Sequence, residues 1–320
     1  MSRPLRILYT NAWYHVINRG ASRVAIFHSN NDYKMFLDLL LQIHRRYRFE
    51  IHAYCLMPNH YHILVRTPLA NLSRGMRHLD GLYTQYYNRK YKKDGALFRG
   101  RYKSVLVDAE NYLLRLSRYI HLNPVKAGIV KHPIKYHWSS YQFYSKNATS
   151  PDWLYTKETL SYFGTKQQKN KYSLFIMEKT DHELENFYRK TKLLPILGSD
   201  VFNKQINEMY LTKQPPSKEI PHQKNVCTQP SMLHICKMVA DYYHVFPETL
   251  QIVDRIKGNL PRTIAIYLAA QLSGEKFKSI ADFFKNISYR SIPQVVYRIN
   301  KLKSNTSSLA NDIENLYKLI

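Results

Sequence analysis

The stretch 56–65 reads Leu-Met-Pro-Asn-His-Tyr-His-Ile-Leu-Val, and its two histidines are spaced for chemistry. Successive side chains of a β-strand point to opposite faces, so His60 and His62 would share one face. Two imidazoles on one face can bind the same metal ion. The preceding Met57-Pro58-Asn59 is typical of a turn, which puts the pair near one end of its strand. Two strand histidines without a ligand are the alternative interpretation, and the His-x-His pair alone does not exclude it.

A second group of reactive residues lies in the stretch Arg118-Tyr119-Ile120-His121-Leu122-Asn123-Pro124-Val125. Tyr119 and Asn123 are four residues apart on a predicted helix and therefore share a face. If that face packs near an edge strand carrying the histidines, two imidazoles and an amide can hold a divalent cation with positions open for a phosphate oxygen. The Tyr119 hydroxyl could then attack phosphorus. Taken alone, Asn123 could simply end a helix and Tyr119 could be a core aromatic.

The elements that must position these residues follow from hydrophobic periodicity. We predict strands over 13–18, 50–56, 60–66 and 102–107, and helices around 30–43, over 73–91 and over 109–120. Pro124 disfavours a helical residue before it, so the last helix is expected to stop near Asn123. The order βαββαβα predicts an α+β fold of ferredoxin-like plan, an antiparallel sheet with helices on one face.

Charge and composition indicate a polyanionic partner. The 48 Lys and Arg exceed the 23 Asp and Glu, giving a formal net charge of +25. Membrane surface and nucleic acid are the common polyanions, but no signal peptide or bilayer-length apolar run is present. Residues 1–150 alone carry 24 basic and 7 acidic residues. Many of the 27 tyrosines lie among these basic residues, which favours stacking on nucleic-acid bases.

The expected location is the cytoplasm, in association with the nucleoid. The three cysteines form no paired framework, which fits a reducing compartment. We expect phosphate contacts from Arg99, Arg101 and Lys103, and from the run Arg89-Lys90 with Lys92-Lys93. A solvated helix end is the alternative interpretation of that run.

Composition also divides the chain. We predict a catalytic domain over 1–145, a helical extension over 146–212, a linker over 213–230 and an all-α domain over 231–320. The linker holds four prolines without an apolar period. In the last domain a short helix over 279–284, a turn and a helix opening at Ser291 have helix-turn-helix dimensions. An ordinary helical bundle is the alternative.

Residues 12–141 resemble the REP-associated tyrosine transposases, which are single-tyrosine HUH enzymes of insertion-sequence type. The resemblance rests on four stretches in order: Tyr14-His15-Val16 with Asn18-Arg19-Gly20, Ala53 to His62, Gly95 to Ser104, and Arg118 to Gly128. His-x-His alone is weak, but Leu-Met-Pro-Asn-His-x-His followed by Arg-Tyr-Ile-x-Leu-Asn-Pro-Val is specific. One departure is His121, where relatives usually carry an acidic residue.

The resemblance implies a mechanism. His60, His62 and Asn123 would bind Mg²⁺ or Mn²⁺, and Tyr119 would be the nucleophile. Single-stranded DNA with hairpin-forming repeats would be cleaved and rejoined through a covalent 5′-phosphotyrosine. Such an enzyme could act as a monomer or a homodimer, and no membrane is involved.

Residues 232–320 resemble, more loosely, the C-terminal DNA-binding domain of DnaA-type replication initiators. By that analogy Arg290, Ser291 and Gln294 open the recognition helix and would contact double-stranded DNA. The acidic-His-Thr-Thr signature of true DnaA is missing, so recognition of origin boxes is not implied.

Three other functions compete with the transposase. The main one is a domesticated, non-catalytic DNA-binding regulator, which would have no use for Tyr119 and Asn123 together. An HUH replication or mobilisation nuclease would share the chemistry, but the Arg-Tyr-Ile-x-Leu-Asn-Pro-Val stretch favours the transposase. An RNA-binding ferredoxin-like domain is disfavoured because no Arg-Gly-Phe-x-Phe signature occurs.

Overall fold

The computed structural model divides the chain into two compact units, one ending at Cys227 and one following it. It describes residues 7–145, 148–178, 181–189, 195–211, 226–227, 230–251 and 259–319. The predicted linker, residues 213–230, lies outside the described residues except for 226–227 and 230. The predicted helical extension, residues 146–212, belongs to the first unit.

The first unit begins with the elements that hold the reactive residues. They are β1 (Ile7–Leu8), β2 (Ala12–Arg19), α1 (Asn30–Tyr47), β3 (Glu50–Met57), β4 (His60–Thr67), α2 (Leu72–Tyr91), β5 (Lys103–Val107) and α3 (Ala109–Lys126). The elements that follow are α4 (Tyr141–Ser145), α5 (Lys157–Ser161), α6 (Gln168–Met177), α7 (His182–Arg189), β6 (Ile196–Leu197), α8 (Asp200–Ile206) and β7 (Val226–Cys227). A π-helical turn, Asn207–Leu211, continues α8.

Five of these strands form one sheet in the order β3-β4-β2-β5-β6. The pairs β3–β4, β4–β2 and β2–β5 are antiparallel, and β6 runs parallel to β5. The predicted α+β fold and βαββαβα order are therefore confirmed for β2 to α3. The strand that carries His60 and His62 lies between β3 and β2, so its predicted edge position was wrong. A short second sheet pairs β1 with β7 in parallel.

The sheet has two differently filled faces. Tyr61, Ile63 and Val65 of β4 point to the face covered by α1 and α2, which we call the core face. The alternate residue Leu64 packs with Leu116 and other residues of α3 on the opposite side, which we call the histidine face. Helices on one face were predicted, and this holds for α1 and α2. Helix α3 covers the other face, because Val105 and Val107 of β5 and Leu64 of β4 offer it a second apolar surface.

Helix α3 does not stop at Asn123 but runs to Lys126 with Pro124 inside it. Proline removes one backbone hydrogen bond, and only two helical residues follow it, so the helix loses little by continuing. The backbone N–H groups of Ala127 and Ile129 then donate to the carbonyl oxygens of Asn123 and Pro124. This end is closed by Gly128, whose positive φ of 69° suits a left-handed turn.

In the second unit every regular element among the described residues is a helix. Its helices are α9 (Met232–Tyr243), α10 (Leu260–Leu272), α11 (Phe277–Phe284), α12 (Ile292–Asn305) and α13 (Ser307–Leu319). They enclose a core with α10 at its centre, where Ile264 and Leu268 are fully buried. The predicted all-α class is observed, and the likeness to DnaA-type domains stays a prediction. Within the described residues no helix combines the length and apolarity that crossing a bilayer requires.

Candidate active site

A tight turn fixes the start of β4, where the first histidine stands. The turn consists of Pro58 and Asn59, and the loop after β2 holds both of their carbonyl groups. The backbone N–H of Gly20 donates to Asn59 O at 2.9 Å, and that of Ile26 donates to Pro58 O at 2.8 Å. A Cβ on Gly20 would lie 2.3 Å from Val24 O, so this close approach requires glycine. The Asn-Arg-Gly motif thus supports the His-x-His motif.

His60 and His62 both project toward the histidine face, as strand alternation predicts. Their ring centroids are 5.0 Å apart, with the ring planes at 79°. His62 is 4% exposed and His60 is half-buried. In the β2–β4 pairing Arg19 lies directly opposite His60. Two imidazoles and one guanidinium therefore share one end of the face.

Helix α3 brings Tyr119 to the histidine pair. The ring centroid of Tyr119 lies 6.0 Å from that of His62, with the planes nearly perpendicular at 83°. Leu116 and Ile120 on the same helix are fully buried against the sheet and set this position. A phenol from the helix and an imidazole from the strand are thus neighbours in the structure, as the sequence spacing suggested.

Asn123 lies one helical turn after Tyr119. Its Nδ2 donates to Tyr119 O at 2.9 Å, so the amide nitrogen of the side chain is hydrogen-bonded to the helix backbone. The oxygen Oδ1 is the metal-binding atom of an asparagine, and this orientation leaves it pointing away from the helix carbonyl. The structure therefore puts the third predicted ligand on the same helix as the predicted nucleophile, and its role stays a prediction.

Burial sets the protonation of the site. It lowers the pKa of His60 to about 4, with a further contribution from the nearby Arg19 charge. It lowers the pKa of His62 well below its usual value, helped by the charges of His60 and His15. Burial also raises the pKa of Tyr119 to about 12, and the Glu185 carboxylate adds to this. At neutral pH the imidazoles are neutral, as metal binding requires, and the phenol is protonated.

The chemistry of these side chains fits a divalent cation. Nε2 of His62 is buried and has no hydrogen-bond partner among the described residues. A buried polar atom without a partner is costly, and a cation would satisfy it. Among the described residues no three or more His, Cys, Asp and Glu side chains form a metal-binding group. A cation site here would therefore need a ligand of another type, and the amide oxygen of Asn123 is the predicted one.

The ring of Tyr119 packs against a segment that no sequence motif predicted. Tyr188 of α7 stacks on the Tyr119 ring, with centroids 4.6 Å apart and planes at 20°. Lys126 Nζ lies 5.0 Å from the centroid of the same ring and 2.6 Å from Glu185 Oε1. Helix α7 belongs to the helical extension, in which the sequence analysis identified no functional motif.

Ion pairs attach this segment to α3. Arg115 donates from both Nε and Nη2 to the carboxylate of Asp181, and from Nη2 to Glu183 Oε2 at 2.7 Å. The Tyr112 hydroxyl donates to Glu183 Oε1 at 2.7 Å. Both carboxyl groups are held ionised, since the hydrogen bonds from Arg115 lower the pKa of each. An acidic helix thus lies along the helix that bears Tyr119.

His15 is the other residue that the sequence analysis left without a role. It is completely buried on β2, with Nε2 2.9 Å from Nδ1 of His62 and Nδ1 2.5 Å from the Tyr188 hydroxyl. The available signal was its position: it stands four residues before Arg19 on the same strand, and an even spacing puts both on one face.

His121, the departure from the family pattern, does not belong to the site. Nδ1 lies 2.7 Å from the Tyr172 hydroxyl and Nε2 lies 2.7 Å from Ser140 Oγ. Burial lowers its pKa to about 3, so the ring carries no charge at neutral pH. The difference from an acidic residue therefore affects packing between α3 and the helical extension.

The predicted phosphate-contacting residues differ in their surroundings. Arg89, Arg99, Arg101 and Lys103 are exposed. Lys103 lies on β5 opposite Ile17 of β2. Lys90 instead donates to Asp32 Oδ1 at 2.5 Å, so its charge is committed to a buried carboxylate.

In the second unit the three predicted DNA contacts cluster at the start of α12. Arg290 is exposed, and its Nε donates to the Tyr289 hydroxyl at 3.2 Å. Ser291 is the half-buried N-cap position, and Gln294 is exposed in the first turn. Tyr297, 71% exposed, extends the same polar surface.

Comparison with known proteins gives one family. Residues 8–123 match the model of the family described as "Transposase IS200 like". The match confirms the resemblance of this part of the chain and supports a transposase-type, DNA-processing enzyme. It ends at Asn123, within the first unit.

The comparisons with curated proteins and with solved structures do not extend this family match. A search of the curated proteins found no match. One solved structure, described as "Structure of the REP associates tyrosine transposase bound to a REP hairpin", is 19% identical, with a TM-score of 0.39. The alignment covers 48% of this chain and 98% of that one.

Proposed function

We propose that the first unit is a strand transferase for single-stranded DNA. In this proposal Tyr119 is the nucleophile, and His60, His62 and Asn123 hold Mg²⁺ or Mn²⁺. The DNA carries hairpin-forming repeats, as the family resemblance implies. The IS200-like family match supports the transposase class, and the rest of the assignment is drawn from the site.

One observation carries the proposal: a protonated phenol lies beside the neutral imidazole of His62, which in turn contacts the ring of His60. Tyr119 and His62 come from different elements, and their ring centroids are 6.0 Å apart. The unpartnered Nε2 of His62 gives this juxtaposition a use, because a cation bound there would be next to the phenol. A metal ion at such a site polarises a phosphodiester and neutralises its developing charge.

The reaction is a transesterification. Tyr119 Oη bonds to phosphorus as the bond from phosphorus to the 3′ oxygen breaks. The phenol proton is lost and the 3′ oxygen gains one, which gives a 5′-phosphotyrosine and a free 3′-hydroxyl. Attack by another 3′-hydroxyl reverses the step and joins strands without ATP, because the phosphotyrosine keeps the ester bond. The pKa of about 12 means that Tyr119 must lose its proton as it attacks.

Exposed cations of the first unit would bind the substrate backbone. Arg99, Arg101, Lys103 and Arg89 are exposed, and Arg19 lies opposite His60. The second unit would add a contact to double-stranded DNA through Arg290, Ser291 and Gln294. A single-strand nuclease beside a duplex anchor is the division of labour we propose.

The test is incubation of the full chain with single-stranded repeat DNA from the sequence that flanks its gene, with Mg²⁺ or with EDTA. A denaturing gel should show a covalent band with Mg²⁺ that EDTA removes. Tyr119→Phe should remove the band and still bind DNA in a native gel. The matched control is Tyr112→Phe on the same helix, which should keep the band. A band that persists in Tyr119→Phe would reject the assigned nucleophile.

One observation favours the rival function, a non-catalytic DNA-binding regulator. Tyr188 stacks on Tyr119, so one face of the half-buried phenol ring is covered in this conformation. Binding without any covalent band, across several flanking sequences, would favour the regulator.

A further inference from the structure

Each proposed histidine ligand uses one ring nitrogen in a hydrogen bond within the protein. Nδ1 of His60 lies 2.7 Å from Asn59 Oδ1. Nδ1 of His62 lies 2.9 Å from Nε2 of His15. The same ring atom is engaged in both residues, and Nε2 is therefore the atom that each can offer to a ligand.

The partner of His60 determines its tautomer. Asn59 Nδ2 donates to Arg23 O at 3.3 Å, which turns Oδ1 toward the histidine. An amide oxygen can only accept, so the proton of the neutral His60 ring must be on Nδ1. The turn backbone is itself held by Gly20 and Ile26, which fixes where the Asn59 side chain starts. Nε2 of His60 is left with a lone pair.

The partner of His62 allows the same tautomer through a longer chain. His62 can donate from Nδ1 to His15 Nε2, and His15 can donate from Nδ1 to the Tyr188 hydroxyl at 2.5 Å. The opposite direction would put an N–H on Nε2 of His62. That atom is buried and has no acceptor among the described residues, so the N–H would be stranded. A bound cation requires the first direction.

We propose that Asn59 and His15, the latter backed by Tyr188, are positioning residues that keep the protons of His60 and His62 on Nδ1 and so present both Nε2 atoms to one divalent cation. The inference rests on the metal site in the proposed function. In this proposal none of the three residues binds the metal ion itself, although Tyr188 also stacks on the ring of Tyr119. Partners of this kind orient a metal ligand and raise its basicity, and their loss weakens metal binding.

The primary test measures the Mn²⁺ affinity of the full chain from the electron paramagnetic resonance signal of free Mn²⁺. Asn59→Ala and His15→Phe should each weaken binding by about ten- to hundredfold, because each removes an acceptor from Nδ1. Tyr188→Phe should weaken it less, since His15 stays in place. Thermal melting of each variant checks that the protein is folded.

Rescue variants separate positioning from general packing. Asn59→Asp and His15→Gln keep an oxygen that can accept from Nδ1, and they should recover most of the affinity. The matched control is His52→Gln, which removes another fully buried strand histidine whose ring contacts Trp13, at 4.2 Å between centroids. It should bind Mn²⁺ like the wild type.

A second readout observes the tautomer directly, in metal-free protein labelled with ¹⁵N-histidine. Long-range ¹H–¹⁵N spectra should show the Nδ1–H form of His60 in the wild type and its loss in Asn59→Ala. An Nε2–H form in the wild type, or unchanged Mn²⁺ affinity in both Asn59→Ala and His15→Phe, would overturn the inference alone. If the wild type bound no Mn²⁺, or if His62→Ala bound it equally well, the metal site itself would be rejected.

Discussion

The two faces of the five-stranded sheet are made by the same strands but are filled differently. On the core face, Phe36 lies among the rings of Phe27, Tyr61 and Tyr83 at centroid distances of 5.4, 4.9 and 5.1 Å. The Tyr83 hydroxyl in that cluster is satisfied by Ile26 O at 2.6 Å. On the histidine face, Nε2 of the buried His62 has no partner among the described residues.

The contrast separates stability from chemistry. A buried polar atom that is paired, such as the Tyr83 hydroxyl, contributes to stability, and a change there costs folding free energy. A face that keeps a buried polar atom unpaired gives up some stability, and such sites commonly serve function. A substitution on the core face should therefore lower the free energy of unfolding and leave activity unchanged. An equivalent substitution on the histidine face should lower activity and leave the free energy of unfolding nearly unchanged.

The largest expected effect comes from a crossed pair of Tyr→Phe substitutions. Tyr119→Phe should abolish the covalent band and change the free energy of unfolding by less than about 1 kcal/mol. Tyr83→Phe strands the carbonyl of Ile26 and should cost about 1–3 kcal/mol, with the band retained. Urea unfolding and a denaturing gel measure both quantities. If Tyr83→Phe also lost the band in folded protein, the faces would not be separable.

The next effect is a cavity on the core face. Phe36 is fully buried, and Phe36→Ala should lower the free energy of unfolding by about 3–5 kcal/mol. Mn²⁺ affinity of the remaining folded protein should match the wild type. Leu174→Ala, at a residue 72% exposed, is the surface control and should change stability little. A cost below about 1 kcal/mol for Phe36→Ala would contradict the packed core.

The faces should also respond differently to acid. Burial, with a contribution from the Arg66 charge, lowers the pKa of His52 on the histidine face to about 3. The unfolded chain protonates this ring below its ordinary pKa of about 6.5, so its contribution to stability is complete above that pH and falls as the pH decreases. The expected slope is about 1.4 kcal/mol per pH unit for this one ring.

Asp32 on the core face behaves differently in the same range. Although burial raises its pKa, hydrogen bonds from Lys90 and Tyr91 hold the pKa well below the ordinary value. Its contribution is therefore present above the ordinary carboxyl pKa and is lost only in stronger acid. Unfolding at about pH 7 and about pH 5 should show a smaller slope in His52→Gln than in the wild type. Equal slopes would contradict the neutral, buried ring.

The smallest effect concerns the exposed cations. Arg99→Gln and Lys103→Gln should each weaken single-stranded DNA binding a few-fold and reduce the salt slope of the logarithm of affinity by about 0.7. Lys204→Gln, an exposed cation on α8 beside Glu208, is the control and should leave the slope unchanged. If the salt slope changed only in Lys204→Gln, the DNA would bind near α8 and not at Arg99 and Lys103.

Local patterns predicted most of the fold. The alternation in β2 and β4 and the periodicity of α1 and α2 put elements within a few residues of their observed bounds. The side of the sheet that α3 covers was not predictable, because it depends on residues of three strands together. The predicted helix end near Pro124 was wrong because tertiary packing of α3 outweighs the single backbone hydrogen bond that proline removes. A rule based on local sequence does not include that packing.

The candidate site was predicted only in part, for the same reason. Residue type and short spacing in the sequence were enough to predict His60, His62, Tyr119 and Asn123. His15 and Tyr188 meet each other across 173 residues, and neither carries a local signal for that contact. Their part in the site emerges only when β2 and α7 are seen on one face.

The most direct test of the central claim maps the tyrosine that carries DNA. The covalent product formed with Mg²⁺ is digested with nuclease and trypsin and analysed by mass spectrometry. Trypsin cuts after Arg118 and Lys126, so Tyr119 begins its own peptide and Tyr188 falls in another. The account predicts a nucleotide on the peptide of Tyr119. A nucleotide on the peptide of Tyr188, or on any other tyrosine, would contradict it.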